Sequence, residues 1–338
     1  MRVFLTGGSG FVGQHLIQSL RAQGHTVLAL ARSTASARTV ADAGAEPVSG
    51  DLADLSGRGE PAAPPAWLKN LHGVDAVVHA AARMAFWGTD AGFRTDNQEP
   101  TVALHAAAAS AGVSRFVLIS AASVSTGSQR AAVVDENTDN GKPNIAYSRV
   151  KLATEDALRE TATPAMTLVI LRPPFIWGAG MTTIDDMAEL VQEGQWMWID
   201  KGRHTTDFVH VDNLADAVVL ALSNGRHGAP YYVTDGTPIP IRDFFTPLLA
   251  TQGADVSGSR SVPAGLAAPM AAMMDATARM LRRRTPPPLT NWLVSIMARD
   301  RSYDITAART DLGYRPRVTL TAGLNEMTHQ KDVSSDHR

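Results

Sequence analysis

The 338-residue chain contains no cysteine, so it has neither a disulfide framework nor a thiolate to serve as nucleophile or metal ligand. That fits a reducing compartment. Long apolar runs are missing as well: none approaches the ~20 residues that span a bilayer. Neither sign of charge dominates, since 31 Lys+Arg against 33 Asp+Glu leave a formal net charge of −2. The balance gives no electrostatic case for nucleic acid. The beginning of the chain enters a strand and a glycine loop without a basic region and leader-like apolar core. These absences predict a soluble, cytoplasmic protein, with enough chain for one large or two modest domains.

What is present is an alternation of strand and helix signals. Arg2–Thr6 is a short apolar run, followed by glycines and by a helix with Val12, Leu16, Ile17 and Leu20 on one face. Thr26–Ala31, Ala76–His79, Phe116–Ser120 and Thr167–Arg172 read as further strands, with an alanine-rich helix near Thr101–Ala111. Strands alternating with helices imply right-handed crossovers and a parallel sheet. The fold class is therefore α/β: a Rossmann-type doubly wound parallel sheet with a smaller, mostly helical C-terminal substrate domain. Ser56–Pro65 is expected to be a surface loop. After Pro173-Pro174 the pattern loosens; Ile184–Gln192 reads as helix, Phe208–Leu222 as strand then helix, and Tyr231–Val233 as strand. The expected boundaries are 1–172 and 207–235 for dinucleotide binding, 173–206 and 236–328 for substrate, and 329–338 as a polar, frayed tail.

Gly7, Gly10 and Gly13 follow the first strand and open a helix. Glycine allows a tight turn and a close approach to a pyrophosphate, while the helix N-terminus offers N–H groups and a positive dipole end. The spacing is G-x-x-G-x-x-G. At the end of the second strand, where an acidic residue would hold the 2′-hydroxyl of NAD, the chain has Arg32 and Ser33. A forked guanidinium suits a 2′-phosphate, so NADP(H) is preferred and NAD(H) remains open; a solvated surface arginine is the alternative. Asp51, with Leu52 after it, meets the adenine amino group or merely caps a helix. Downstream, Tyr147 and Lys151 stand four residues apart on a helix and share a face. An ammonium beside a phenol favours its anion and makes the pair an acid/base near neutrality.

With these residues placed, the chain resembles the extended short-chain dehydrogenase/reductases of the epimerase/dehydratase superfamily over nearly its full length. The matches are the Thr6-Gly7 loop, Gly50-Asp51-Leu52, His79-Ala80-Ala81, Asn97, the Tyr/Lys pair, Leu171-Arg172-Pro173-Pro174, Phe208-Val209-His210-Val211-Asp212 and Leu312-Gly313-Tyr314. The resemblance implies that Tyr147 exchanges a proton with a substrate oxygen while Lys151 holds the nicotinamide ribose and tunes Tyr147. It implies that Phe11 and Val12 belong to the cofactor loop, that Ala80 and Ala81 flank the dinucleotide, and that Pro174, Phe175 and Ile176 line the nicotinamide. Asn97 would orient Lys151 through water. The family's third catalytic group, a Ser or Thr, aligns with Ala121; Ser123 and Ser120 are the neighbouring candidates, Ser123 favoured because a continued strand would turn it to the same side.

Nucleotide-sugar relatives carry a diphosphate-clamping arginine where this chain has Thr206, with Arg203 the available substitute. Apolar residues gather instead in the presumed substrate region: Trp87, Trp196, Met197 and Trp198, then Met270, Met273, Met274, Thr277 and Leu281, then Leu289, Trp292, Leu293, Ile296 and Met297. Ordinary core packing is one reading of these spacings; a greasy pocket or lid is the other. Arg282-Arg283-Arg284 before Pro286-Pro287-Pro288 is a solvated helix end or a weak contact for anionic lipid. The layout is similar to the 3β-hydroxysteroid dehydrogenase branch and to bacterial 2-alkyl-3-oxoalkanoate reductases. The expected function is interconversion of a secondary alcohol and a ketone on a small apolar substrate, with no metal and with a homodimer left open. The rivals are a sugar-nucleotide epimerase or dehydratase holding NAD tightly, and a dinucleotide sensor without turnover.

Overall fold

Strands buried on both faces read as unbroken apolar runs, and helices as 3.6-residue stripes. In the computed structural model this alternation becomes β1 (Arg2–Thr6), α1 (Phe11–Ala22), β2 (Thr26–Ala31), α2 (Thr34–Asp42), β3 (Glu46–Ser49) and β4 (Ala76–His79). There follow α3 (Asp90–Phe93), α4 (Glu99–Ser110), β5 (Arg115–Ile119), β6 (Val133–Val134), α5 (Ala146–Thr161) and β7 (Thr167–Arg172). The second half adds β8 (Phe175–Trp177), α6 (Thr183–Gln192), β9 (Met197–Ile199), β10 (Thr205–Thr206), β11 (Phe208–His210), α7 (Val211–Ala221), β12 (Pro230–Tyr232) and β13 (Ile239–Pro240). It closes with α8 (Ile241–Ala250), β14 (Arg260–Val262), α9 (Ala264–Met280), α10 (Asn291–Met297), β15 (Ser302–Tyr303) and α11 (Leu320–Ser335). The structure describes residues 1–335 other than 57–62, 86, 128–131, 282, 284, 286 and 288. Most of the expected Ser56–Pro65 loop and most of the Arg/Pro run therefore lie outside the described residues.

Seven parallel strands form the central sheet in the order β12-β7-β5-β4-β1-β2-β3. The chain moves from β1 outward to β3, then returns and builds the other side from β4. The order thus reverses between β1 and β4, whose ends are in register at Thr6 and His79. A crevice opens at such a switch point beyond the strands' C-terminal ends, where doubly wound folds hold their ligands.

The sheet packs one apolar face against α1 and α7 and the other against α4 and α5. A separate aromatic core, with Trp177, Trp198, Phe208, Phe244 and Phe245, organises much of the second half of the chain. Two boundaries differ from expectation. Residues 302–314, assigned above to the substrate region, return to the first core: Ile305, Ala308, Leu312 and Tyr314 are buried in it, and the Tyr314 hydroxyl donates to the Thr234 carbonyl at 2.9 Å. The polar end of the chain is helical to Ser335 instead of frayed from 329. Buried Met327, and Gly323 seated against Trp177 and His210, anchor that helix.

Candidate active site

The glycine loop is shaped by contacts that only a missing side chain permits. Gly7 has φ +77°, and a Cβ there would stand 2.7 Å from the Ala81 nitrogen. A Cβ on Gly13 would lie 2.0 Å from the Gly7 carbonyl oxygen. Gly10, the N-cap of α1, provides no side-chain cap, and the first turn carries no acidic residue. Its N–H groups are thus offered to a ligand, the arrangement that a pyrophosphate requires. Beside it runs a cavity of about 1180 Å³.

Gly7, Gly10, Phe11, Val12, Gly13, Arg32, Asp51, Leu52, Ala80 and Ala81 line one arm of this cavity. Tyr147, Lys151, Ser120, Ser123, Pro174, Phe175 and Ile176 line its middle, and Trp196, Trp198, Phe245, Leu289, Trp292 and Leu293 its far arm. Arg32 is exposed at the rim. Ser33 does not line the cavity; its hydroxyl caps α2, accepting from the Ser36 N–H at 3.1 Å. Asp51 caps the 3₁₀ turn 52–55, its Oδ1 accepting from the Ala53 N–H at 3.0 Å, and it also lines the cavity.

Behind the loop a proton-ordered chain fixes the backbone. Thr101 Oγ1 donates to the Asn97 carbonyl at 2.5 Å, so it must accept from His79 Nε2 at 2.8 Å. His79 Nδ1 then accepts from Thr6 Oγ1 at 2.8 Å, and Thr6 Oγ1 accepts from the Ala81 N–H at 3.2 Å. A neutral imidazole is required throughout, and burial, followed by the Lys151 charge, pushes His79 down to about 3. The chain ties Ala81 to Asn97. Asn97 itself lies in a π-helical turn, 94–98, and both ends of its carboxamide are used by Arg83: Oδ1 accepts from the N–H at 2.8 Å and Nδ2 donates to the carbonyl at 3.0 Å. Both direct contacts of the carboxamide thus hold the Arg83 backbone.

Tyr147 and Lys151 project from α5 into the cavity, both buried. Phe93 meets the Tyr147 ring edge-on at 5.9 Å. Burial raises the Tyr147 phenol above its ordinary value, with no offsetting contribution from Lys151. The phenol therefore stands above its ordinary value, not below it as the Tyr/Lys spacing leads one to expect, and burial is the cause; the Lys151 Nζ donates to the Ile119 carbonyl at 3.0 Å. Burial lowers Lys151 to about 8, opposed by the charge of Glu155.

The two serines separate clearly. β5 ends at Ile119 and 122–125 form a 3₁₀ turn, so Ser123 reaches the cavity from a turn and not from a continued strand. Its Oγ accepts from the Ser148 hydroxyl at 2.7 Å. Ser120 also lines the cavity, but its hydroxyl donates to Glu155 Oε1 at 2.5 Å. Glu155 is fully buried and paired with Arg172 at 2.6 Å and Arg159 at 3.0 Å. Ser120 is therefore committed to an ion-pair network beneath Lys151.

The substrate candidates divide as well. Trp196 and Trp198 line the cavity, edge to face at 5.5 Å, and neither buried indole N–H has a partner. Trp87 does not line it; its N–H donates to the Arg283 carbonyl at 3.0 Å beside a separate cavity of about 380 Å³. Most of the α9 stripe expected as pocket or lid faces outward: Met270, Met273 and Leu281 are exposed, and only Met274 packs against the second core. Several wall residues carried no sequence signal. Asp207 is buried, accepts from the Tyr303 N–H at 2.8 Å and is pushed up by burial to about 6. Arg301 bridges to Thr206 through the backbone and donates from Nη1 to the Ser125 carbonyl at 2.7 Å. Each is brought in by a loop or short strand far away in sequence.

The family model for the NAD dependent epimerase/dehydratase family matches residues 3–234. The chain belongs to that family. It is 33% identical over 329 residues, 97% of this chain and 96% of the other, to 4-hydroxy-2-methyl-3-oxo-4-farnesyl-3,4-dihydroquinoline-1-oxide ketoreductase of Stigmatella aurantiaca. It is 31% identical over 336 residues, 97% of this chain and 98% of the other, to 2-alkyl-3-oxoalkanoate reductase of Stenotrophomonas maltophilia. Its fold matches a dTDP-glucose 4,6-dehydratase of Streptomyces venezuelae solved with NAD bound, with TM-score 0.74, 24% identity and coverage of 99% of this chain and 98% of the other. With reductases among its relatives, the protein is an NAD(P)-dependent oxidoreductase.

Proposed function

We propose that the protein interconverts a ketone and a secondary alcohol on an apolar substrate, with NADP(H) preferred. One observation carries this reading: the cavity that begins at the glycine loop passes Tyr147 and Lys151 and continues into an arm walled by Trp196, Phe245, Leu289, Trp292 and Leu293. The bound nicotinamide would supply or accept hydride in the middle of the cavity. Tyr147, kept protonated by burial, gives its proton to the carbonyl oxygen as the ketone is reduced. Lys151, as an ammonium, stabilises the phenolate left behind, and Ser123 orients the same oxygen. The cofactor preference rests on exposed Arg32 at the rim and on the absence of an acid there; a charge-assisted bond to the 2′-phosphate contributes about 1.5–3 kcal/mol.

A series of 3-oxo acids or esters of increasing chain length tests the reading, run beside 3β-hydroxysteroids with either cofactor. Each buried methylene contributes about 0.8 kcal/mol, so kcat/KM should climb about threefold to fourfold per methylene until the arm is full. NADPH should bind more tightly than NADH, and Arg32→Asp should erase the difference. Arg301 favours a second reading, because it places a guanidinium on the wall beside Thr206 where a diphosphate clamp would need one. Turnover confined to UDP- or dTDP-sugars, with tight binding of the free diphosphates, would replace the first reading by an epimerase or dehydratase.

A further inference from the structure

Nine large apolar side chains are exposed among the described residues, and five of them, Leu266, Met270, Met273, Met280 and Leu281, fall in α9 or on the residue after it. At 3.6 residues per turn these five lie within an arc of about 100°. Their exposures run from 45% to 78%. The opposite side of the helix is already used: Ala267, Ala271 and Ala278 are buried, and α9 rests on α10. α9 is therefore apolar on two faces, one packed and one bare. Single exposed leucines need no explanation, but a continuous stripe does.

The charge around the stripe selects its occupant. Four arginines, Arg279 and Arg282 to Arg284, occur within six residues at the C-terminal end of α9 in a chain of net charge −2. Arg283, the one whose side chain is described, is exposed; Arg282 and Arg284 lie outside the described residues. The only acid of α9, Asp275, is buried and accepts from the Asn291 N–H and side-chain amide. Exposed thioethers and leucines bordered in sequence by a cluster of arginines match the boundary between acyl chains and anionic headgroups. No helix among the described residues is long and apolar enough to cross a membrane, so the contact is one of lying on the surface.

We propose that α9 docks the protein on an anionic lipid surface. The consequence for the site is direct, because α10, which carries Trp292, Leu293 and Ile296 into the cavity wall, is the element under α9. An apolar substrate dissolved in lipid would then meet the protein one helix away from the cavity. The docking itself stands independently of which substrate is turned over.

Co-sedimentation of the intact protein with phosphatidylcholine vesicles, with and without phosphatidylglycerol, tests this. Wild type should pellet with the phosphatidylglycerol vesicles and lose binding as salt rises. Met273→Glu with Met280→Glu should weaken partitioning by tenfold or more, about the value of one desolvated apolar side chain. Arg283→Glu should weaken it about fivefold or more. None of the three residues lines the cavity, so turnover of a water-soluble ketone in the absence of vesicles should be unchanged, and a thermal melt checks folding. Equal pelleting of wild type and the methionine variant would overturn the proposal. So would an absence of binding to anionic vesicles, or a dimer in solution that Met273→Glu dissociates without any vesicle binding, which would make a second copy the occupant.

Discussion

Replacing the Tyr147 phenol with a phenyl ring removes a proton while leaving the ring packed on Phe93. Tyr147→Phe should therefore bind cofactor like wild type, measured by fluorescence titration, and lose about 10²-fold or more in turnover. Lys151 sets the alkaline limb. Burial has lowered it to about 8, so the ammonium is present below that pH and lost above it. A pH profile of kcat/KM should fall as pH passes through about 8, and Lys151→Arg should move that limb upward. The serine question turns on partners: the Ser120 hydroxyl donates to the buried Glu155 carboxylate, whereas that of Ser123 accepts from Ser148. Ser123→Ala should depress turnover well below Ser120→Ala; the reverse order would transfer the role. At this scale the glycines and the Tyr/Lys pair were legible from their spacing alone. The pairing of the Asn97 carboxamide with the Arg83 backbone was not, because it depends on a π-helical turn that no spacing announces.

Elements were legible where burial imposed a pattern. β1, β2, β4 and β7 have the bounds read from the sequence, since parallel strands covered on both faces are apolar throughout their interiors, with polar residues confined to their ends. The 3₁₀ turn after β5 was hidden, because Ala121-Ala122-Ser123-Val124 is equally compatible with a continued strand. One contact between elements, likewise invisible in sequence, has a consequence for pH. His15 on α1 meets Asp212 Oδ1 on α7 at 2.7 Å and the Ala179 carbonyl after β8 at 3.0 Å. Both partners only accept, so the ring carries both protons. Burial would lower its pKa, but the carboxylate and carbonyl outweigh that and hold it above the ordinary 6.5. A raised folded-state value means that the clasp stabilises fully below 6.5 and is lost as pH rises through the folded value. Chemical denaturation should show wild type losing its advantage over His15→Phe across that window. A constant difference at all pH values would mean that the ring contributes packing alone.

For the molecule as a whole, the dinucleotide half was legible and the substrate half was not, because the two follow different physical rules. A repeated βαβ unit writes its periodicity into every segment. The far arm of the cavity is assembled from β9, α8, α10 and the Arg301–Tyr303 segment, pieces far apart in sequence whose meeting no local period announces. The same irregularity made the α9 stripe look like a lid, since helical spacing tells which residues share a face but not what that face meets. The return of residues 302–314 to the first core bears on how the chain is made. Domains usually close in order as the ribosome extrudes them, at about 5–20 residues per second. Here the first core lacks Leu312 and Tyr314 until long after β12, the last strand of its sheet, has been made. A nascent chain halted after residue 235 should thus be cut readily by protease, and one released past the Tyr314 codon should resist. Protection that already appears at the shorter length would show that the first core closes without its last two side chains.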